Sequence, residues 1–335
     1  MFNQSVASDF EPARSSPAQL NWKKYTFRAR LDEDASLPPY KGSTFRGVFG
    51  HALKHVVCAL KTQDCPTCLL RKRCLYPRVF EDQSGVQLGS SRRASAPHPY
   101  IIEPPLDDKT DYRQGECFEF DLILLGDING SLPYFIYAII EMGKRGIGKG
   151  ADGKRAQFTL LEVRTAGTVI FTLNSDEVKI PDSTNLFTLN RPNSDKRGCR
   201  ILVRLETPLR LKSNGQLQDS LDFELFQRAM LRRAAAVLSC YGDVVDLGRL
   251  TELLSWFKAD SADVAVSHSD LRWHDWERYS ARQGRRMRMG GLIGEIEFSG
   301  PLTAALPLFR FSELFHLGKQ SSFGLGKISC ELLEE

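Results

Sequence analysis

The sequence lacks any run of apolar residues that could cross a membrane. A spanning helix needs about 18 to 20 consecutive apolar residues, and no segment of the 335-residue chain approaches that length. The first twenty residues also lack the apolar core of a secretory signal, because Asp9, Glu11 and Arg14 stand among serines and prolines. We therefore expect a cytoplasmic protein without membrane association, in which residues 1–20 form a flexible tail.

The chain also lacks a large excess of either charge. It carries 45 Lys and Arg against 41 Asp and Glu, a formal net charge of +4, which gives a mild preference for anionic partners. With 42% hydrophobic and 26% charged residues, the composition is typical of a globular protein rather than a disordered one. The length suits two domains, each large enough to bury its own core.

An internal similarity predicts that these two domains are duplicates. Each half contains a strand, a helix with proline in its first turn, a glycine-rich segment and a final strand: 118–125, 132–142, 143–149 and 158–163 in the first half, and 294–298, 306–317, 318–327 and 328–333 in the second. Each half also opens on a strand, 25–31 or 200–205, that precedes an amphipathic helix.

This order predicts an α+β fold of two tandem ferredoxin-like (βαββαβ, RRM-like) domains. The N-terminal domain is expected over residues 21–180 and the C-terminal domain over 197–335, because the connecting residues 181–196 are rich in Asn, Asp, Ser and Pro. Residues 83–97 and 243–277 do not fit the pattern and are left without assigned elements.

The glycine-rich segments 143–149 and 318–327 contain Lys, Gln and Ser among closely spaced glycines. Such backbone allows several amides to approach one anion, and phosphate is the natural ligand. The alternative is that the glycines only make tight helix-to-strand turns. A nucleotide-binding P-loop is disfavoured, because that motif precedes a helix, whereas these segments follow one.

The segment 318–327 followed by a terminal strand resembles the C-terminal glycine-rich signature of the RAMP superfamily. The whole layout is similar to the endoribonucleases of that superfamily that process CRISPR precursor RNA. The resemblance implies binding of CRISPR repeat RNA, and cleavage by attack of a 2′-hydroxyl that leaves a 2′,3′-cyclic phosphate without a catalytic metal. Residues predicted to contact RNA are Arg46, Lys144, Arg145, Lys149, Arg282, Arg285, Arg286, Arg288, Lys319, Gln320, Ser321 and Lys327.

The first amphipathic helix carries the candidate catalytic groups. His51 and His55 are one helical turn apart, with Lys54 beside them. Imidazole and ammonium groups supply the base, the acid and the cation that such cleavage needs. The resemblance adds Tyr40 and Lys61 as helpers, a loose match that ranks both below Lys54. The alternative is that the two histidines lie on a solvated helix face or that one of them binds a metal.

Four of the eight cysteines lie close together in the chain. Cys58, Cys65, Cys68 and Cys74 include a Cys-x-x-Cys pair, a spacing that is typical of zinc sites. Four thiolates leave no open position for an activated water, so we predict a structural zinc in an insertion over 58–74. The alternative is four unligated thiols.

Four arginines, 282, 285, 286 and 288, fall within seven residues that contain no acid. They predict a hairpin whose cationic side chains contact phosphates, with a solvated basic turn as the alternative.

Three functions remain open from the sequence. The leading hypothesis is a CRISPR repeat endoribonuclease. Its competitor is a non-catalytic RNA-binding subunit that joins other subunits of a CRISPR effector complex. A zinc-dependent RNA-modifying enzyme is disfavoured, because no cofactor motif or open metal position is recognisable.

Overall fold

The computed structural model describes residues 17–61, 64–81, 96–175, 177–179, 185–192, 198–244, 246–280 and 285–333. Most of the predicted tail, residues 82–95, Arg282 and parts of the predicted boundary lie outside the described residues. Below, the first half denotes residues 17–192 and the second half residues 198–333.

The first half contains nine strands and two α-helices among its described residues. They are β1 (Ala18–Leu31), β2 (Ala35–Ser36), α1 (Gly42–Val57), β3 (Tyr100–Glu103), β4 (Asp111–Tyr112), β5 (Cys117–Leu125), α2 (Leu132–Arg145), β6 (Lys149–Gly150), β7 (Phe158–Thr165), β8 (Thr168–Thr172) and β9 (Asn185–Leu189).

The second half contains eight strands and three α-helices among its described residues. They are β10 (Cys199–Leu209), β11 (Lys212–Ser213), β12 (Gln216–Leu217), α3 (Phe223–Tyr241), α4 (Leu247–Ser255), β13 (Ala265–His274), β14 (Glu277–Ser280), β15 (Arg285–Arg288), β16 (Gly291–Gly300), α5 (Leu306–Phe315) and β17 (Ile328–Leu333).

The main sheets of the two halves have the same connectivity. The first has the order β3-β5-β1-β7-β8, with β9 paired to the start of β1, and the second has the order β13-β16-β10-β17. Neighbouring strands are antiparallel in both. In each half one helix follows the first long strand and another follows the third, which is the connectivity of a βαββαβ unit. The prediction of an α+β chain is confirmed, and its main sheets are antiparallel.

The first sheet is buried on both faces along β3 and the end of β5, which explains the continuous apolar residues there. Along β5, Leu122 and Leu124 pack with α1 and α2, whereas Ile123 and Leu125 pack with the second half. The hydrophobic core of the second half also includes Ala18 and Leu20 of β1. Consequently β1 begins at Ala18 rather than near residue 25, and the predicted tail is too long by three residues.

Two other segments differ from the sequence predictions. Residues 243–277, left without elements, contain α4 and the ten-residue strand β13. The helix predicted over 306–317 ends at Phe315, because His316 has a positive φ of 57°. Within the described ranges, no helix is long and apolar enough to span a membrane.

Candidate nucleic-acid interface

The glycine-rich segment 318–327 lies against the first half. Gly324 has a φ of +85°, and a Cβ at this position would lie 2.5 Å from the carbonyl oxygen of Ile102 in β3. Gly326 has a φ of +71°, and its Cβ would lie 1.7 Å from the carbonyl oxygen of Leu317. Glycine is therefore required here by close backbone packing, whether or not the segment binds an anion.

A cleft of about 360 Å³ lies beside this segment. One wall is α3, another is the segment itself, and residues 96–98 of the first half close one side. Its basic side chains are Arg210, Lys212, Arg228, Arg232, Arg233 and Lys319. None of the described residues that line it is acidic. We call this feature the basic cleft, and its charge favours a polyanion.

Not every arginine of the basic cleft is available to a ligand. Arg228 and Arg232 are one turn apart on α3, and Arg228 makes a weak pair with Glu224 at 3.4 Å. Arg233 is buried, and burial lowers its pKa to about 10. Its guanidinium donates to the carbonyl oxygens of Phe315 and His316, so it closes the C-terminal end of α5.

Arg46 joins α1 to the glycine-rich segment. Its guanidinium carbon lies 4.4 Å from the ring centroid of Phe323 and 5.3 Å from that of Phe80. Its Nε donates to Ser322 Oγ at 3.3 Å, and Nη2 donates to His98 Nε2 at 3.2 Å. The structure thus gives Arg46 an intramolecular role that its prediction as an RNA contact did not include.

His98 is the histidine that lines the basic cleft. Its Nδ1 lies 2.9 Å from the carbonyl oxygen of Val79; because a carbonyl only accepts, Nδ1 carries the proton and Nε2 accepts from Arg46. Burial, together with the charge of Arg46, lowers the pKa of His98 to about 4. The ring is therefore neutral near pH 7. Sequence reasoning missed it, although a lone histidine before the apolar strand β3 was a signal.

The predicted catalytic histidines lie elsewhere, on the outer face of α1. His51 and His55 are both exposed, and His55 Nδ1 lies 4.0 Å from Glu141 Oε2 on α2. Lys54 contacts a different neighbour, since its Nζ lies 5.3 Å from the ring centroid of Tyr76. None of the three lines the basic cleft, so their roles stay predictions.

Tyr40 lies at the contact between the halves. Its hydroxyl donates to the carbonyl oxygen of Phe323 at 2.7 Å, and its ring centroid lies 4.7 Å from that of Trp276. Burial raises the pKa of Tyr40 well above its ordinary value. Tyr40 and Arg46 therefore hold the glycine-rich segment from adjacent positions.

A buried carboxylate ties β3 to the same segment. Glu103 Oε1 lies 2.9 Å from His316 Nε2 and 3.3 Å from Lys327 Nζ, and Oε2 lies 2.6 Å from Lys24 Nζ. Burial alone would raise the pKa of Glu103, but the hydrogen bond from His316 and the charges of Lys24 and Lys327 hold it well below its usual range. Lys327, predicted to bind RNA, is thus partly neutralised within the protein.

The predicted RNA contacts within the two glycine-rich segments, Lys327 aside, divide into two groups. Lys319, Gln320 and Ser321 line the basic cleft. Lys144 and Arg145 are exposed at the end of α2 and Lys149 in β6, and none of these lines it. Lys144 Nζ is paired with Glu141 at 2.6 Å. Arg210, Arg228 and Arg232 were missed, because their pattern on a helix or after a strand is that of any solvated face.

The arginine cluster forms the predicted hairpin of β14 and β15. Arg285, Arg286 and Arg288 lie on β15, and Arg282 falls outside the described residues. The base of the hairpin adjoins the basic cleft: Arg210 Nη1 donates to the carbonyl oxygen of Gly290, and Gln320 Nε2 lies 3.1 Å from Met289 Sδ.

The four clustered cysteines follow α1. Cys58 directly follows the last residue of that helix, Cys65 begins a 3-10 turn, and the amide of Cys68 donates to the carbonyl oxygen of Cys65 at 3.3 Å. Burial raises the pKa of the Cys65 thiol. In the part of the chain that the structure describes, no three His, Cys, Asp or Glu side chains are placed to hold a metal ion. Structural zinc at these three cysteines and Cys74 therefore stays a prediction.

Two different family models match separate stretches of the chain. Residues 20–183 match the AF_1859_N model of an N-terminal domain, and residues 203–328 match the model of the CRISPR-associated endoribonuclease Cas6. An uncharacterised protein of Archaeoglobus fulgidus is 24% identical over 299 residues, which cover 87% of this chain and 91% of the relative.

Solved structures share the fold at low identity. A Cas6 product complex aligns with a TM-score of 0.51 and 15% identity over 94% of this chain and 100% of its own. A partial Cas6-RT-Cas1–Cas2 complex aligns with a TM-score of 0.55 and 13% identity over 97% of this chain. This chain spans 47% of the length of that second neighbour.

Proposed function

We propose that the protein binds CRISPR repeat RNA and cleaves it to give mature guide RNA, because residues 203–328 match the model of the CRISPR-associated endoribonuclease Cas6. In this proposal the two sheets are tandem ferredoxin-like domains, and the cell compartment is the cytoplasm. The observation that carries the proposal is the basic cleft between α3 and the glycine-rich segment, whose described lining contains no acid.

The basic cleft suits a ribose-phosphate backbone. Arg228 and Arg232 on α3 and Lys319 on the glycine-rich segment line different walls of the cleft, so phosphates of one strand are neutralised from two walls. Each such contact releases condensed counterions and makes affinity depend on salt. The hairpin of β14 and β15 carries further arginines, Arg285, Arg286 and Arg288, and we propose that they contact the backbone of a repeat stem, where backbone contacts dominate recognition.

Cleavage requires three groups around one phosphate. A base removes the proton of the 2′-hydroxyl, O2′ attacks the phosphorus, and an acid protonates the departing O5′. The products are a 2′,3′-cyclic phosphate and a 5′-hydroxyl, and no metal takes part. His51 and His55 are proposed as base and acid, Lys54 as the cation that stabilises the phosphorane, and Tyr40 as a helper that positions the glycine-rich segment.

A non-catalytic RNA-binding subunit is the second candidate function. One observation favours it: neither His51 nor His55 lines the basic cleft, whereas His98, which does, has both ring nitrogens engaged and a pKa lowered to about 4. An RNA that is cleaved must therefore extend beyond the cleft, over the outer face of α1.

One assay separates the two candidates. The protein is incubated in EDTA with a labelled repeat RNA from its own host, beside the same RNA with a 2′-deoxy nucleotide at the cut position. Cleavage of the first RNA alone supports the enzyme, and loss of cleavage in His51→Ala or His55→Ala assigns the residue. Binding without cleavage of either RNA supports the subunit. Activity that appears only after metal is added contradicts the mechanism.

Structural zinc is a separate proposal that rests on the spacing of Cys58, Cys65, Cys68 and Cys74. Metal analysis of protein purified without chelator is expected to find about one zinc per chain. The double variant Cys65→Ser/Cys68→Ser is expected to lose it. Metal-free protein with unchanged melting temperature contradicts the proposal.

Partner subunits are proposed from the neighbours. One neighbour is described as a complex with RT, Cas1 and Cas2, and we propose that this chain likewise contacts other CRISPR subunits. Copurification from the native host with a tagged chain tests this, and recovery of the chain alone contradicts it.

A further inference from the structure

The strand β13 forms one edge of the second sheet. It is ten residues long and pairs on one side with β16, and within the described residues no strand pairs with its other side. Nine of its ten residues are exposed and Leu271 is half-buried. The pairing with β16 shifts register between Val266 and His268, so the regular part of this edge is residues 268–274, about 23 Å long. Its backbone donors and acceptors are open to another strand.

On this edge, the carboxylate of Asp270 faces another carboxylate of its own sheet. Asp270 lies directly opposite Glu295 of β16, and like charges in directly opposed positions destabilise a sheet. Glu295 is itself bound by Arg204 Nε at 2.9 Å. Among the described residues, no ion pair joins Asp270 or Arg272 to another side chain. Asp270 thus has no ion pair among the described residues, and a strand added along this edge could supply one.

Two copies of β13 paired antiparallel would place residues of opposite charge opposite each other. In an antiparallel pair centred on Leu271, residues whose numbers add to the same total face each other. Asp270 of one strand then lies opposite Arg272 of the other, and by symmetry the same pair forms again. Leu271 faces its own copy, and Trp273, which is 37% exposed, faces Ser269.

We propose that a second copy of this chain binds along β13, so that the two strands pair antiparallel about Leu271 and form two Asp270–Arg272 ion pairs. The interface is isologous, which closes a two-fold dimer rather than a filament. It joins the two second-half sheets into one continuous sheet. It lies on the opposite edge of the sheet from β17.

The test is a set of charge reversals measured by sedimentation equilibrium on full-length protein freed of nucleic acid. The wild type is expected to show a monomer–dimer equilibrium. Arg272→Asp places two carboxylates opposite each other and is expected to weaken dimerisation at least tenfold. Asp270→Arg places two guanidinium groups opposite each other and is expected to do the same. The double variant Asp270→Arg/Arg272→Asp restores both pairs and is expected to dimerise like the wild type.

Mixing the two single variants gives the decisive result. The Arg272→Asp chain then has a carboxylate at both positions 270 and 272, and the Asp270→Arg chain has a guanidinium at both. Every facing pair between the two chains is therefore of opposite charge, so a heterodimer is expected although neither variant self-associates. Arg249→Asp on α4 is the matched control and is expected to leave dimerisation unchanged. Melting temperatures equal to that of the wild type exclude misfolding as the cause.

Two results would overturn the proposal. One is a wild type that stays monomeric at every concentration, and the other is a dimer that is indifferent to both reversals. If the wild type is monomeric and Arg272→Asp weakens binding to repeat RNA tenfold, the edge is assigned to RNA instead.

Discussion

The two glycine-rich segments look alike in sequence but have different surroundings. The first, 143–149, packs within its own half: a Cβ on Gly143 would lie 2.2 Å from the carbonyl oxygen of Phe158, and one on Gly148 would lie 2.4 Å from that of Ser36. The second, 318–327, packs on the other half through Gly324 and lines the basic cleft. Glycine spacing therefore indicates close backbone packing in both, and the neighbouring arginines distinguish the one that can bind a polyanion.

The largest expected effect concerns what anchors the second segment. Glu103→Gln leaves His316 and Lys327 without their buried anion and is expected to lower the free energy of unfolding by about 3 kcal/mol. Glu141→Gln, which removes the partner of the exposed Lys144 in the first segment, is expected to cost under about 0.5 kcal/mol. Urea denaturation at pH 7 measures both. Equal losses of unfolding free energy in the two variants would contradict the view that only the second segment is anchored by a buried carboxylate.

The same variant has a defined pH dependence. The pKa of Glu103 is lowered by folding, so its contribution is present above the unfolded value of about 4.3 and is lost as pH falls toward the folded value. The difference in stability between wild type and Glu103→Gln is expected to shrink progressively below about pH 4.3. A difference that stays constant down to about pH 2 would contradict this assignment.

The next largest loss of stability is expected at Arg46, because this side chain on α1 holds the second glycine-rich segment. Arg46→Ala leaves Ser322 and the neutral ring of His98 without these hydrogen bonds, and is expected to cost about 2 kcal/mol of unfolding free energy in urea denaturation. Arg46→Lys keeps the charge but loses the planar fork, so it is expected to recover less than half of this loss. Full recovery by lysine would mean that charge alone matters.

The affinity for repeat RNA is also expected to depend on the surroundings of the second glycine-rich segment and not on the first segment. Arg232→Ala is expected to weaken affinity for repeat RNA about tenfold and to reduce the salt slope by about 0.7 to 0.9, the value for one phosphate contact. Arg145→Ala in the first segment is expected to change affinity less than about twofold, as for a solvated charge. Fluorescence anisotropy at several salt concentrations gives both values. A larger loss in Arg145→Ala would reverse the assignment.

The smallest expected effect is a change in the pKa of His98, which NMR can detect. The His98 ring is expected to titrate at a pKa of about 4, measured by NMR of the ring protons. Because folding lowers this pKa, the stability that the neutral ring contributes is present above about pH 6.5 and is lost as pH falls toward about 4. In Arg46→Ala the pKa of His98 is expected to rise, since one of its causes is removed. An unchanged pKa would show that burial alone sets it.

Sequence patterns predicted the elements better than the site. Hydrophobic periodicity, together with Gly and Pro residues at the ends of segments, predicted the long core strands and the helices α1, α2, α3 and α5. Local burial dictates such patterns. The start of β1 was missed, since Ala18 and Leu20 are buried by the second half rather than by their own. No local pattern reports such a contact.

The site depends on tertiary contacts that no spacing encodes. Arg228 and Arg232 look like an ordinary solvated helix face, and only the fold brings Lys319 to the same cleft. His98 lies beside a stretch without periodicity, whereas His51 and His55 attracted attention through their helical spacing. Spacing identifies which side chains share a face, but it cannot identify what that face meets.

The basic cleft beside the second segment is where we propose that RNA lies. The most direct test compares the salt dependence of repeat-RNA binding in two triple variants, Arg228→Ala/Arg232→Ala/Lys319→Ala and Lys144→Ala/Arg145→Ala/Lys149→Ala. The first variant is expected to lose a slope of about 2 to 3, for three phosphate contacts, and the second is expected to keep the wild-type slope. The opposite pattern, or equal losses in both, would contradict RNA binding in the cleft.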